Sequence, residues 1–223
     1  MADGEWSDWY RREDPTSWVL PRILRDRSEE RGDDPFLRFQ DGEWFSFGRV
    51  NEDANRVANG LRSLGLKRGE SVSVMLPNCA EFIPLWFGIL KAGGVMSSIN
   101  TAYKGEFLSW PINLVESRLL IIADEYLDRL SVIKGELARL ERVVVVPTAG
   151  DPVAASDHFL PVAEVMDAPA SEPDVDWSWT DDARIMFTSG TTGRSKGVIK
   201  QNAADYYSAR SAIEAISVTA EDT

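Results

Sequence analysis

Ser71-Val72-Ser73-Val74-Met75-Leu76, the stretch from Glu81 to Lys91, and Val95-Met96-Ser97-Ser98-Ile99 follow one another as strand, helix and strand. The outer runs are short and rich in Val, Ile and Met, and the stretch between them is long enough for a helix. The same alternation continues with a helix over Glu106–Val115, a strand at Leu119–Ile122, helices over Glu125–Leu140 and a strand at Val143–Val146. It predicts an α/β fold, a parallel-rich sheet covered by helices. Leu119-Leu120-Ile121-Ile122 and Val143-Val144-Val145-Val146 are apolar at every position, as expected of strands covered on both faces. Pro111 should kink or divide its helix.

Upstream, Trp18 to about Glu30 reads as a short helix with Pro21 in its first turn. Phe36–Phe39 and Trp44-Phe45 flank Asp41-Gly42, a hairpin signal in which the glycine accepts the positive φ of a tight turn. Ser46 can cap the next helix. Its stripe Val50, Ala54, Val57, Ala58, Leu61 recurs at helical spacing until Gly65 stops it. Downstream, prolines, small residues and acids dominate 147–182, a loop-rich connector. The chain therefore divides into a first α/β subdomain at 1–146, the connector, and a unit at 183–223. That unit reads as strand Arg184–Thr188, loop Ser189–Lys196, strand Gly197–Lys200 and helix Ala203–Ile216, the first pieces of a second sheet.

The loop carries the chemistry. Thr188-Ser189-Gly190-Thr191-Thr192-Gly193-Arg194-Ser195-Lys196-Gly197 follows an apolar strand. Gly190 and Gly193 remove side chains that would keep a polyphosphate off the backbone, so successive N–H groups can face one anion. Thr188, Ser189, Thr191 and Thr192 add hydroxyl donors, and Lys196 adds a compact, mobile charge. The loop is not a Walker A motif, because Lys196 stands three residues beyond Gly193 and is followed by Gly197. It also turns back into a strand, which removes the helix dipole as the main source of affinity.

The run resembles the signature of the adenylate-forming, AMP-binding superfamily, approximately T-S-G-T-T-G-x-P-K-G, with Ser195 in place of the proline. Met75-Leu76-Pro77-Asn78-Cys79-Ala80-Glu81-Phe82, Gly88 through Val95, Ile99-Asn100-Thr101-Ala102-Tyr103 and Glu106-Phe107 resemble the early core of the same family, closest to its crotonobetaine/carnitine-CoA ligase-like and fatty-acid-CoA ligase-like branch. Ser98 stands where a proline is common, and Asn202 where many CoA ligases have a histidine. The family implies the first part of a large N-terminal domain, with Thr188, Ser189, Gly190, Thr191, Thr192, Gly193 and Lys196 on the ATP phosphates and Lys196 as the catalytic group. It implies ATP with Mg²⁺, coenzyme A and a small carboxylic acid as substrates. No residue is assigned to the metal. Relatives are more than twice as long, and their T-G-D aspartate and C-terminal lysine have no counterpart before Thr223, so the chain reads as an N-terminal portion that is inactive alone. Two alternatives stand beside the CoA ligase: an adenylation domain that passes its acyl group to a carrier protein, and a non-catalytic nucleotide- or protein-binding module.

Composition bounds these readings. The 223 residues carry 36 acidic and 24 basic side chains, for a net charge of −12 and no basic cluster, which argues against nucleic acid as a partner. One cysteine, Cys79, precludes an internal disulfide, and no long apolar run is present, so a soluble cytoplasmic protein is expected. The unpaired strand edges of the last unit admit a homodimer. His158, the single histidine, reads as a half-exposed loop residue, Cys79 as a small buried hydrophobe, Trp86 and Trp110 as packing mass, and Asp181-Asp182 as a solvated turn.

Overall fold

The computed structural model describes residues 14–148, 155, 156, 158–188 and 194–217. After a short turn at Pro15–Ser17, helix α1 (Leu20–Arg31) leads into a small hairpin of β1 (Pro35–Arg38) and β2 (Trp44–Ser46). The hairpin forms where expected, but the positive φ of its turn falls on Gln40, at 53°, and not on Gly42. Gly42 instead donates its N–H to the Phe39 carbonyl at 3.1 Å. The Ser46 side chain accepts the Arg49 N–H at 3.2 Å and starts α2 (Phe47–Ser63). Val50, Ala54, Val57, Ala58 and Leu61 are all fully buried, so the predicted stripe is core, and Gly65 (φ 89°) reverses the chain where a side chain would be strained.

The α/β repeat follows: β3 (Ser71–Met75), α3 (Phe82–Lys91), β4 (Val95–Ser98), α4 (Glu106–Leu114), β5 (Leu119–Ala123), α5 (Leu127–Ile133) and β6 (Arg142–Val146). Pro111 lies within α4 without dividing it. Near the end of a short helix, it leaves only the Phe107 carbonyl without its usual donor. The connector holds two elements that the sequence reading missed, β7 (Phe159–Pro161) and α6 (Val162–Met166). β7 extends the sheet beyond β6, and its proline is tolerable because the strand is on the edge. Then come β8 (Asp182–Phe187), β9 (Gly197–Gln201) and α7 (Asn202–Ile216).

Among the described residues, one sheet contains seven strands in the order β7-β6-β5-β3-β4-β8-β9, all parallel except β9. The expectation that 184–223 opens a second sheet is therefore corrected: β8 pairs in parallel with β4, from Met96↔Arg184 to Ser98↔Met186. The pairing leaves no free edge on β4. Every residue of β5 is buried, which requires cover on both faces. Helices α1, α2, α3 and α6 pack together as one group, and α4 with α5 as another.

The connector is fastened to the first helix group. Asn55, Arg56 and Asn59 of α2 donate to the carbonyls of Ala170, Ala168, Pro169 and Ser171 at 2.8–3.1 Å. The Trp177 indole donates to the Lys91 carbonyl at 3.1 Å. Asp181, expected to be a solvated turn residue, closes a turn by donating its N–H to the Ser178 carbonyl at 3.1 Å, and in addition both its oxygens accept from the Arg68 guanidinium at 2.8 Å, anchoring the start of β8.

Candidate functional site at the hairpin loop

The β8–β9 hairpin is built by its sequence. Ile185, Met186 and Phe187 pair with Ile199, Val198 and Gly197, and the ladder ends where Thr188 donates its N–H to the Lys196 carbonyl at 3.0 Å. That bond brings Thr188 and Lys196 to the two sides of the loop mouth. Of the sequence-predicted site residues, Thr188 and Lys196 are described, and both are exposed. Ser189, Gly190, Thr191, Thr192 and Gly193 lie outside the described residues. The mouth opens at the carboxyl ends of β4 and β8, the end of a parallel sheet at which α/β proteins place their ligands.

Because β4 and β8 are neighbours, the segment following β4 lies beside the loop following β8. Glu106 and Trp110 of α4, one helical turn apart and so on one face, meet the returning limb of the loop. The Trp110 indole N–H donates to the Ser195 carbonyl at 3.0 Å. The Arg194 guanidinium pairs with the Glu106 carboxylate and lies 4.4 Å from the centre of the Trp110 ring. These groups, with Phe107 and Ser195, line a cleft of about 230 Å³. Phe107 itself is largely exposed, at 71%. Trp110, expected to be packing mass, is thus also a hydrogen-bond donor to the loop. The signal available in the sequence was the i, i+4 spacing of Glu106 and Trp110, but nothing local said which segment faced them.

Two cations end the loop, and they differ. Arg194 is engaged by Glu106 and Trp110, whereas no salt bridge among the described residues involves Lys196. Behind the hairpin, Arg184 of β8 reaches Asp205 of α7, with Nη2 2.5 Å from Oδ1. Burial raises the Asp205 pKa above the usual carboxylate range, and the Arg184 charge opposes that shift. Asn202, at the position the family often gives to histidine, is buried and donates to the Ser178 carbonyl at 3.0 Å, a bond that ties α7 to the connector.

Cys79 and His158 stand apart from the loop. Burial, and secondarily the Glu81 charge, push the Cys79 thiol up to about 11, which suits a packed side chain and not a nucleophile. His158 is exposed. Among the described residues no group of three or more His, Cys, Asp or Glu side chains could hold a metal ion. Nor is any helix among them long and apolar enough to cross a membrane.

Residues 24–223 match the family of AMP-binding enzymes. The chain belongs to that family. It is 33% identical over 207 residues to the crotonobetaine/carnitine-CoA ligase of Salmonella paratyphi A, a match that covers 85% of this chain and 38% of the relative. Among solved structures it resembles the anthranilate CoA ligase AuaEII in complex with anthranoyl-AMP, at a TM-score of 0.75 and 26% identity, over 83% of this chain and 35% of that one. Mycobacterium smegmatis MbtA aligns over 98% of this chain and 38% of its own, at a TM-score of 0.81 and 26% identity. The chain thus spans about 38% of the length of the curated relatives it matches, and the architecture is that of the N-terminal domains of adenylate-forming enzymes.

Proposed function

We propose that this chain supplies the phosphate-binding part of an ATP-dependent carboxylate-CoA ligase. The observation that carries the reading is the hairpin mouth at the carboxyl end of the parallel sheet, with Thr188 and an exposed Lys196 on its two sides, in a chain of the AMP-binding family. In the proposed reaction, a substrate carboxylate oxygen attacks the α-phosphorus of ATP, the bond to the bridging oxygen breaks, and pyrophosphate leaves. The CoA thiol then attacks the acyl carbon and loses its proton, and AMP departs with the acyl–oxygen bond electrons. The chain's part is electrostatic. Thr188 and Lys196, together with the hydroxyls and amides that the sequence places at 189–193, receive the charge that builds on the leaving pyrophosphate. Mg²⁺ enters with ATP as part of the substrate and neutralises further charge. Within this reading, 1–146 is the scaffold, 147–182 the fastened connector and 183–223 the phosphate unit.

The test is Lys196→Ala in the protein carrying this sequence, followed by carboxylate-dependent release of pyrophosphate. Loss of one charge-assisted donor to a developing anion should slow release by about ten- to a thousandfold. Unchanged release would remove Lys196 from the mechanism. Coenzyme A is the proposed acceptor because the curated relatives are CoA ligases by name. Offering CoA and an acyl carrier protein in parallel separates that reading from a carrier-loading adenylation domain.

A further inference from the structure

We propose that Trp110 and Glu106 are positioning residues of the phosphate loop, through which α4 fixes the peptide that carries Lys196. The inference rests on the reading of the loop as the phosphate site. Consecutive carbonyls are held from two sides: that of Ser195 by the Trp110 indole at 3.0 Å, and that of Lys196 by the Thr188 amide at 3.0 Å. In a trans peptide the C=O and N–H point in opposite directions, so holding the Ser195 oxygen toward α4 turns the Lys196 N–H away from it. A buffer of charge accompanies this orientation. Glu106 and the Trp110 ring occupy the Arg194 guanidinium, which leaves Lys196 as the cation that meets phosphate. The backbone that carries the lysine therefore starts in a defined orientation, and the ligand has only the side chain left to order, which lowers the entropic cost of binding.

The experiment titrates the protein carrying this sequence with magnesium pyrophosphate and records amide and indole NMR signals of the wild type and of Trp110→Phe, Glu106→Gln, the double variant and Lys196→Ala. Trp110→Phe keeps an aromatic face for Arg194 and removes only the donor. In the absence of ligand, its amide signals at Lys196 and Gly197 should shift while those of β3 and β5 stay put, and the wild-type Trp110 indole proton should exchange slowly with solvent. Affinity should fall about fivefold in Trp110→Phe, the scale of one neutral hydrogen bond. Glu106→Gln, which also frees the Arg194 cation, is read by the same Lys196 and Gly197 amide shifts, less than additive with those of Trp110→Phe because both act on one limb; unmoved amides in Glu106→Gln would remove Glu106 from the positioning role. Unchanged affinity in Trp110→Phe beside weakened binding in Lys196→Ala would overturn the positioning role and leave the phosphate reading intact. No binding by the wild type, or full affinity in Lys196→Ala, would instead overturn the phosphate reading and the positioning role with it.

Discussion

Lys91 is wholly shielded from solvent, and its ammonium lies 2.8 Å from Asn55 Oδ1, 2.6 Å from Glu172 Oε1 and 5.7 Å from the centre of the Trp177 ring. Burial is the largest influence on it and lowers its pKa from the ordinary lysine value of 10.5, with Glu172 opposing. A base whose folded pKa is depressed binds fewer protons folded than unfolded, so its contribution to stability is lost as pH falls through the folded value and is fully present above 10.5. Stability measured by denaturant titration across the alkaline range below that value should therefore rise more steeply with pH in the wild type than in Lys91→Met. Glu172→Ala leaves the charge buried with Asn55 as its remaining hydrogen-bond partner. It should cost about 2 kcal/mol, below the range for a fully buried pair because Glu172 is partly exposed. A Glu172→Ala protein as stable as wild type would show that the connector is held by its backbone contacts alone.

Between elements, α2 meets α6 in close backbone contact at Gly60. A Cβ on Gly60 would sit 2.2 Å from the Val165 carbonyl oxygen, so this glycine is required by packing and not by φ. Gly60→Ala must push α6 off α2, and a loss of about 2 kcal/mol is expected from such overpacking. Gly135, which has nothing within 4 Å of the same added atom, supplies the comparison: Gly135→Ala should stay within about 0.5 kcal/mol of wild type. Equal thermal midpoints for the two variants would contradict the packing account. The same contact explains why α6 was invisible in the sequence. Val162–Met166 is too short to show a helical period, and its buried residues Val162 and Val165 are chosen by what lies opposite.

Across the molecule, stability should be graded from the middle of the sheet outward. β3 and β5 are paired on both sides and nearly all buried, and β8 is protected by its pairing with β4. β9 is the edge strand on this side of the sheet, with Val198 and Ile199 exposed at 43% and 57%. Hydrogen exchange is accordingly expected to be slowest in β3 and β5, intermediate in β8, and faster in β9 than in any of these. A homodimer that paired two copies of β9 would reverse this order at that edge, and protection of β9 that grows with protein concentration would reveal it. Exchange of β8 as fast as that of β9 would mean that the hairpin is not part of the cooperative sheet.

The sequence by itself determined the α/β class, most of the element sequence from α1 to α7, the buried stripe of α2 and the strand–loop–strand frame that puts Thr188 and Lys196 at the two ends of one loop. Those features are local: period, capping, turn residues and a run of Gly, Ser and Thr are properties of neighbours in the chain. Tertiary structure decided which strands lie side by side, and with that the surroundings of the loop. The hairpin read as the start of a new sheet because nothing in Asp182–Phe187 names its partner. Parallel pairing is specified by burial and by the crossover connections, not by the strand's own residues. Once β8 lies against β4, α4 must lie beside the loop, and Trp110 and Arg194, remote in the sequence, become contacts. Lys91 followed the same logic: in the sequence it is a helical lysine, and only the return of the connector over α2 and α3 encloses it with Glu172 and Trp177. A charge can be buried only where a distant segment supplies its partner, and that supply is a fact of the fold.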